Sequence, residues 1–208
     1  MQVIAILRGQ SAPIPAKNGV TGHFKSPQPF ADVTRLGLKG DFIADSDNHG
    51  GPDQAVYLFG DLDRQWWETE LSRPCPPGFF GENLLISELA SQTLCLGDTL
   101  AIGDVCLQIT APRIPCATYA AHIGSGQAIK QFYRAARPGA YARVLREGSI
   151  APAAAATFTP FDSPRIPVTT ILAQTLRHFD DPELLRQLAR TPAHHKLLEM
   201  AQTRFRAG

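Results

Sequence analysis

Three clusters in the sequence gather residue types able to do chemistry. The first, Gly40 to Ala55, sets His49 between acidic residues and a Gly50-Gly51-Pro52 turn, with Asp53 directly behind. Paired glycines reach positive φ and let backbone amides approach a ligand closely. The same stretch also reads as a polar surface turn carrying a solvated histidine. The second cluster, Pro77 to Leu84, places Phe79, Phe80, Gly81, Glu82 and Asn83 just ahead of a strand. An Asn amide both donates and accepts, which suits the edge of a heterocycle, although Gly-Glu-Asn equally fits an ordinary turn. The third cluster, Thr110 to Tyr119, holds Cys116 in a loop with Pro112, Arg113 and Pro115. The prolines stiffen the backbone, and a neighbouring guanidinium favours thiolate over thiol. Such a cysteine can serve as a nucleophile or as a soft metal ligand, and packing remains the alternative role.

The elements that must position these residues are short. Val3 to Leu7 forms an apolar run that reads as a first strand, and Gln54 to Phe59 forms another. Asp61 is expected to cap a helix over Leu62 to Leu71. Asp98 to Ile109 alternates apolar and polar residues around Gly103-Asp104, the pattern of a β-hairpin that ends where the Cys116 loop begins. Cys95 and Cys106 fall in such strands and are expected to pack as small core residues, whereas Cys75 sits in a Pro-rich loop and is expected to be more exposed. Beyond Ala151 the chain turns rich in alanine and proline, and three helical patterns follow. Thr170 can cap the first, Asp181-Pro182 opens the second, and Thr191-Pro192 repeats that signal for the third, with Leu197, Leu198, Ala201 and Phe205 inward. The expected division is a β domain over 1–160, a linker over 161–167 and a three-helix module over 168–208, packed on the β domain but not required for cofactor binding. His194 and His195 are expected on the surface, since adjacent helical positions point apart. Arg134, Arg137, Arg143 and Arg146 read as an anion site or a solvated basic face.

Composition limits the function. The 208 residues are 44% hydrophobic, and 20 Lys and Arg stand against 19 Asp and Glu, for a net charge of +1. That balance argues against nucleic-acid binding, which relies on concentrated basic surface. Seventeen Gly and seventeen Pro exclude a coiled coil or helical bundle as the main body. No run approaches the ~20 apolar residues of a membrane span, and Met1 to Arg8 is too short for a signal-peptide core. A cytoplasmic protein with four reduced cysteines is therefore expected.

Taken in order, these clusters resemble the MOSC domain family, the molybdenum-cofactor sulfurase C-terminal domain, and within it the stand-alone bacterial YiiM-type branch. The resemblance rests on Leu38-Lys-Gly-Asp41, His49-Gly-Gly-Pro-Asp53, Phe80-Gly-Glu-Asn83, Leu96-Gly-Asp98, Pro112-Arg-Ile-Pro-Cys116, and Arg134 with Gly139 to Leu145, together with the three-helix tail. It implies a mainly β fold with some helix, a closed and mostly antiparallel MOSC-type β-barrel. It also implies a molybdenum cofactor of the molybdopterin type, with Cys116 as the thiolate ligand to molybdenum. Asn83 and Arg113 match positions expected near the pterin or its phosphate, and His49 and Asp53 match a motif lining the same site. Family members of this type are similar to enzymes that reduce N-hydroxylated compounds to amines or amides, so a small N-hydroxylated substrate is implied. His49 is the expected proton donor in catalysis beside Cys116. The chain has neither an iron–sulfur cysteine array nor a dinucleotide fingerprint, so a separate reductase or ferredoxin-like protein would supply electrons. Two other readings remain: a molybdenum-cofactor or sulfur carrier using Cys116 without turnover, and a hydrolase pairing Cys116 with His49 or His122.

Overall fold

The computed structural model describes residues 1–15, 19–45 and 49–207, with side chains described through 204. Asp47 of the acidic stretch and the Phe205 side chain lie outside that description. In chain order the elements are β1 (Val3–Gly9), β2 (Ala12–Pro13), β3 (Val20–Thr21), β4 (Lys25–Gln28), β5 (Ala31–Thr34), β6 (Gly37–Leu38), β7 (Val56–Gly60), α1 (Asp61–Leu71), β8 (Leu84–Ile86), β9 (Thr99–Ile102) and β10 (Val105–Pro112). There follow α2 (Ala117–Ile123), α3 (Ala128–Ala135), β11 (Ala140–Arg146), β12 (Gly148–Ile150), β13 (Ala156–Thr159), α4 (Val168–Thr175), α5 (Pro182–Leu188) and α6 (His195–Ala207).

Eight strands pair in the order β13-β9-β10-β11-β7-β8-β1-β4, and smaller sheets join β12-β5-β6 and β2-β3. Every pairing in the large sheet is antiparallel except β7 with β8, which α1 links as a crossover. The fold is thus mixed α/β. Among the described residues no ladder joins the edge strands β13 and β4. An antiparallel bridge between Gln2 and Ala155, and backbone bonds of Met1 and Val3 to Ala153, Ala154 and Ala156, tie the start of β1 to the segment entering β13. The pairings do not by themselves close the expected barrel. Edge strand β4 carries Pro27, a residue without an amide donor, which suits a strand left unpaired on one side.

Alternation along the central strands feeds two apolar layers. Ile6, Val56, Leu58 and Leu84 face one core, while Leu7, Tyr57, Phe59 and Leu85 face the other. A period of two on strands buried on both faces gives the continuous apolar runs seen in the sequence. The first core is completed by Ile171, Leu188 and Ala201 from the last three helices. The second packs Trp67, Tyr119 and Phe132 from α1, α2 and α3 over Phe80. Among the described residues no helix is long and apolar enough to cross a membrane.

Several local expectations are corrected. Asp61 is the first residue of α1 rather than its cap; Gly60 precedes the helix, and Asp61 accepts from Arg64 Nε at 2.7 Å. Helix α4 starts at Val168 behind Pro167, ahead of Thr170. Asp181 does cap α5, accepting from the amides of Glu183 and Leu184. Thr191 does not open α6; its hydroxyl donates back to Gln187 O at 2.9 Å, and the helix begins at His195. The hairpin forms as read, with Val105 opposite Ile102, but Cys106 is only half-buried on its outer face. Cys75 is fully buried among aromatic neighbours instead of exposed, and burial pushes its thiol up to about 11.

Candidate functional site

Strand β10 delivers the Pro112-to-Cys116 arm, and α2 begins immediately after Cys116. The strand before it is fixed by its hairpin partner and by β11, so the arm emerges at a defined place on the sheet. The arm borders a cavity of about 430 Å³ whose wall includes Cys116, Arg113, Asn83 and His49. Four of the five site residues named from the sequence therefore converge. Asp53 does not: its carboxylate turns away to Arg143 and His195, at 2.9 Å each. The turn after Gly51 is a short 3-10 helix over Pro52–Gln54, which separates the direction of Asp53 from that of His49.

Burial alone would raise the Cys116 thiol. The hydrogen bond with His49, the Arg113 charge and the Tyr119 backbone amide outweigh it and pull the thiol down to about 6. The thiolate thus predominates at neutral pH. Arg113 is only 5% exposed. Its Nη1 donates to Phe80 O, and its guanidinium lies 5.2 Å from the Tyr57 ring and 5.5 Å from the Tyr119 ring. The rings hold this planar cation by cation–π contact, and the buried Glu82 carboxylate adds an attractive charge. Buried Glu82 shapes the loop that receives it, accepting from the Gly78 and Phe80 amides at 2.6 and 3.1 Å.

Asn83 serves the frame as well as the cavity wall. Its Oδ1 accepts from the Tyr57 amide at 3.0 Å, and its Nδ2 donates to Asp41 Oδ2 at 2.8 Å. Asp41 in turn holds Lys25 Nζ at 2.5 Å, with both side chains nearly buried in the cavity wall. His23 lines the same wall; burial first, and then the Arg113 charge, holds its pKa well below the usual histidine range. Its Nε2 is buried without a hydrogen-bond partner. Gly81, at φ 75°, lets His23 pack there, because a Cβ would stand 2.6 Å from its Nδ1.

Sequence reasoning missed His23 and Lys25 and gave Asp41 no role. Asp41 was visible only as part of a motif, while His23 lies in the link between β3 and β4 and Lys25 opens β4, neither with a chemical pattern of its own. His122 lies against His23 and Phe79, with ring centroids at 4.9 and 4.8 Å. His49 is the histidine that bonds Cys116. The basic stretch is solvated in part, at Arg134 and Arg146, and each of its arginines has a partner. Arg134 pairs with Glu70, Arg137 with Asp63, Arg143 with Asp53, and Arg146 donates to Asp104 O.

A soft thiolate, a buried guanidinium and an unpartnered imidazole nitrogen around one cavity form a donor set that fits a soft-metal cofactor bearing polar edges. The fold and this site define the class: the chain belongs to the MOSC domain family, whose model matches residues 45–155. Among its relatives, the uncharacterized protein YflK of Bacillus subtilis is 36% identical over 135 residues, covering 64% of this chain and 61% of that protein. A Gibberella moniliformis protein named as a reductase is 28% identical over 176 residues, covering 82% of this chain and 31% of its own length. The chain therefore spans less than two thirds of either relative. The crystal structure of YiiM from Geobacillus stearothermophilus is similar over 98% of both chains, with a TM-score of 0.78 at 25% identity.

Proposed function

We propose that this chain binds a molybdenum cofactor of the molybdopterin type through Cys116 and reduces small N-hydroxylated compounds to amines or amides. The observation that carries the reading is the Cys116 thiol, brought down to about 6 between His49 and Arg113 at a cavity large enough for a ligand. Membership of the MOSC family and a relative named as a reductase support it. The bound group would supply the two-electron chemistry that removes the oxygen of an N–O bond.

The chain's own residues do the rest. Cys116 Sγ offers a soft anionic ligand, and the Pro112 and Pro115 backbone holds its direction. Arg113 keeps that sulfur ionised and presents positive charge to an anionic pterin substituent. Asn83 sits at the wall with its amide already oriented by Tyr57 and Asp41. His49, hydrogen-bonded to Cys116, would be the proton donor to the departing oxygen as water forms. A separate reductase or ferredoxin-like protein would deliver electrons in the cytoplasm.

The test uses protein expressed in a host that makes the cofactor. Reduced viologen dye should drive amine formation from an N-hydroxylated substrate, with about one molybdenum per chain. Molybdenum without turnover would instead favour the carrier reading. Absence of molybdenum would refute both.

A further inference from the structure

The carboxylate expected at the cavity takes part in a different cluster. Asp53 Oδ2 accepts from the His195 backbone amide at 2.8 Å and lies 2.9 Å from His195 Nδ1. Its Oδ1 is held by Arg143 at 2.9 Å. The His194 ring stacks on that of His195, centroids 4.4 Å apart, and His194 is only 4% exposed. One nitrogen of each imidazole and one Asp53 oxygen lie within 4.8 Å of one another. Among the described residues this is the one group of three metal-capable side chains so gathered.

We propose that Asp53, His194 and His195 form a binding site for a borderline divalent transition-metal ion such as Zn²⁺, distinct from the Cys116 cavity. Two imidazoles and a carboxylate match the three-ligand set that zinc accepts with its remaining position open to water. Hard Mg²⁺ or Ca²⁺ would call for oxygen ligands instead. Adjacent histidines can converge here because they do not share helical geometry. Helix α5 ends at Leu188 and α6 starts only at His195, so His194 precedes the helix. Arg143 takes one carboxylate oxygen and leaves the other toward the histidines, as a hydrogen-bonded partner commonly orients a ligating carboxylate. The Lys196 amide donates to His194 Nδ1 at 3.1 Å, so an ion bound by this ring would replace that amide at Nδ1 or displace the proton from Nε2.

The location gives the ion a role. Thr110 Oγ1 donates to Asp53 O at 2.6 Å, and Thr110 O accepts from the His194 amide at 3.0 Å. Thr110 stands three residues before Arg113 on β10, and Asp53 follows four residues after His49. An ion at this point would clamp the start of α6 to both chain segments that carry the cavity's reactive side chains.

The Cys116→Ser chain, stripped with EDTA, removes the thiolate as a competing ligand. Zn²⁺ titrated into it should bind at one ion per chain and raise Tm, while Mg²⁺ should do neither. His195→Ala in that background alters an exposed ring and should fold, yet it should bind Zn²⁺ at least about tenfold more weakly and lose the Tm rise. Asp53→Asn should weaken binding likewise. No Zn²⁺ binding by the Cys116→Ser chain, or binding undiminished by both further substitutions, would overturn the site. Neither result bears on molybdenum content, which reports on the Cys116 cavity.

Discussion

A thiol half-buried beneath a protein surface is ordinarily harder to ionise than in water, yet Cys116 is brought to about 6 because a histidine, a guanidinium and a backbone amide act together on one sulfur. The sign gives a direct prediction. Its pKa is lowered, so thiolate is the major form above about pH 6 and is lost by protonation below it. Alkylation of the cofactor-free chain by iodoacetamide should follow a titration with its midpoint near pH 6. His49→Ala removes the hydrogen bond and Arg113→Ala the charge, so either should move the midpoint up by a unit or more, about a tenfold loss of thiolate at neutral pH. A wild-type midpoint at the ordinary cysteine value would contradict this account of the sulfur. The sequence revealed Cys116 and Arg113 because prolines and an adjacent cation leave a local signature. It did not reveal His23, Lys25 or Asp41 as neighbours, because a buried ion pair across two distant segments has no spacing rule. It also assigned Asp53 to the cavity on a motif whose backbone turn sends the two polar side chains in different directions.

Secondary-structure elements were legible where one periodicity dominated, as in the β9–β10 hairpin, whose alternation and Gly103-Asp104 turn set the register. Helix starts were legible only where the capping residue had no competing partner. Asp181 is free to cap and does so, whereas Asp61 is drawn to Arg64 and Thr191 to a carbonyl behind it. Asp181→Ala should therefore cost about 1 kcal/mol in urea unfolding, with molybdenum content unchanged. Arg137 was misread as solvated because its partner is far away in sequence. Asp63, with no exposed surface, binds Arg137 Nη1 at 2.7 Å and also accepts from Ser91, and the Arg137 guanidinium covers the Trp66 ring. Arg137→Ala leaves that carboxylate short of a charged partner and should cost about 2 kcal/mol. It should nevertheless retain molybdenum at the wild-type ratio, whereas Arg113→Ala should lose most of it. Equal molybdenum in the two purified variants would refute the role given to Arg113.

At the scale of the molecule, the sheet and the last three helices share one core. Ile166 and Val168 close on Leu96 and Leu94 through backbone hydrogen bonds, and Leu172 reaches the layer that holds Tyr119 and Phe132. Arg165 pairs with Asp98, which has no exposed surface. The C-terminal helices thus pack on the β portion and help to complete its core. Truncation after Pro160 would expose Leu94, Leu96 and the face of β10, and it should abolish cooperative thermal unfolding. A soluble truncated chain with a sharp transition would show that the β portion folds without them. The measurement that bears most directly on the whole reading is molybdenum per chain, with dye-driven reduction of an N-hydroxylated substrate, in the wild type and in Cys116→Ser. The wild type should carry about one molybdenum and turn over. The serine variant, near in shape but with a hydroxyl that stays protonated at neutral pH, should fold with the Tm of the cofactor-free wild type and lose both. Full molybdenum and full activity in Cys116→Ser would contradict the assignment of this thiolate as the metal's ligand.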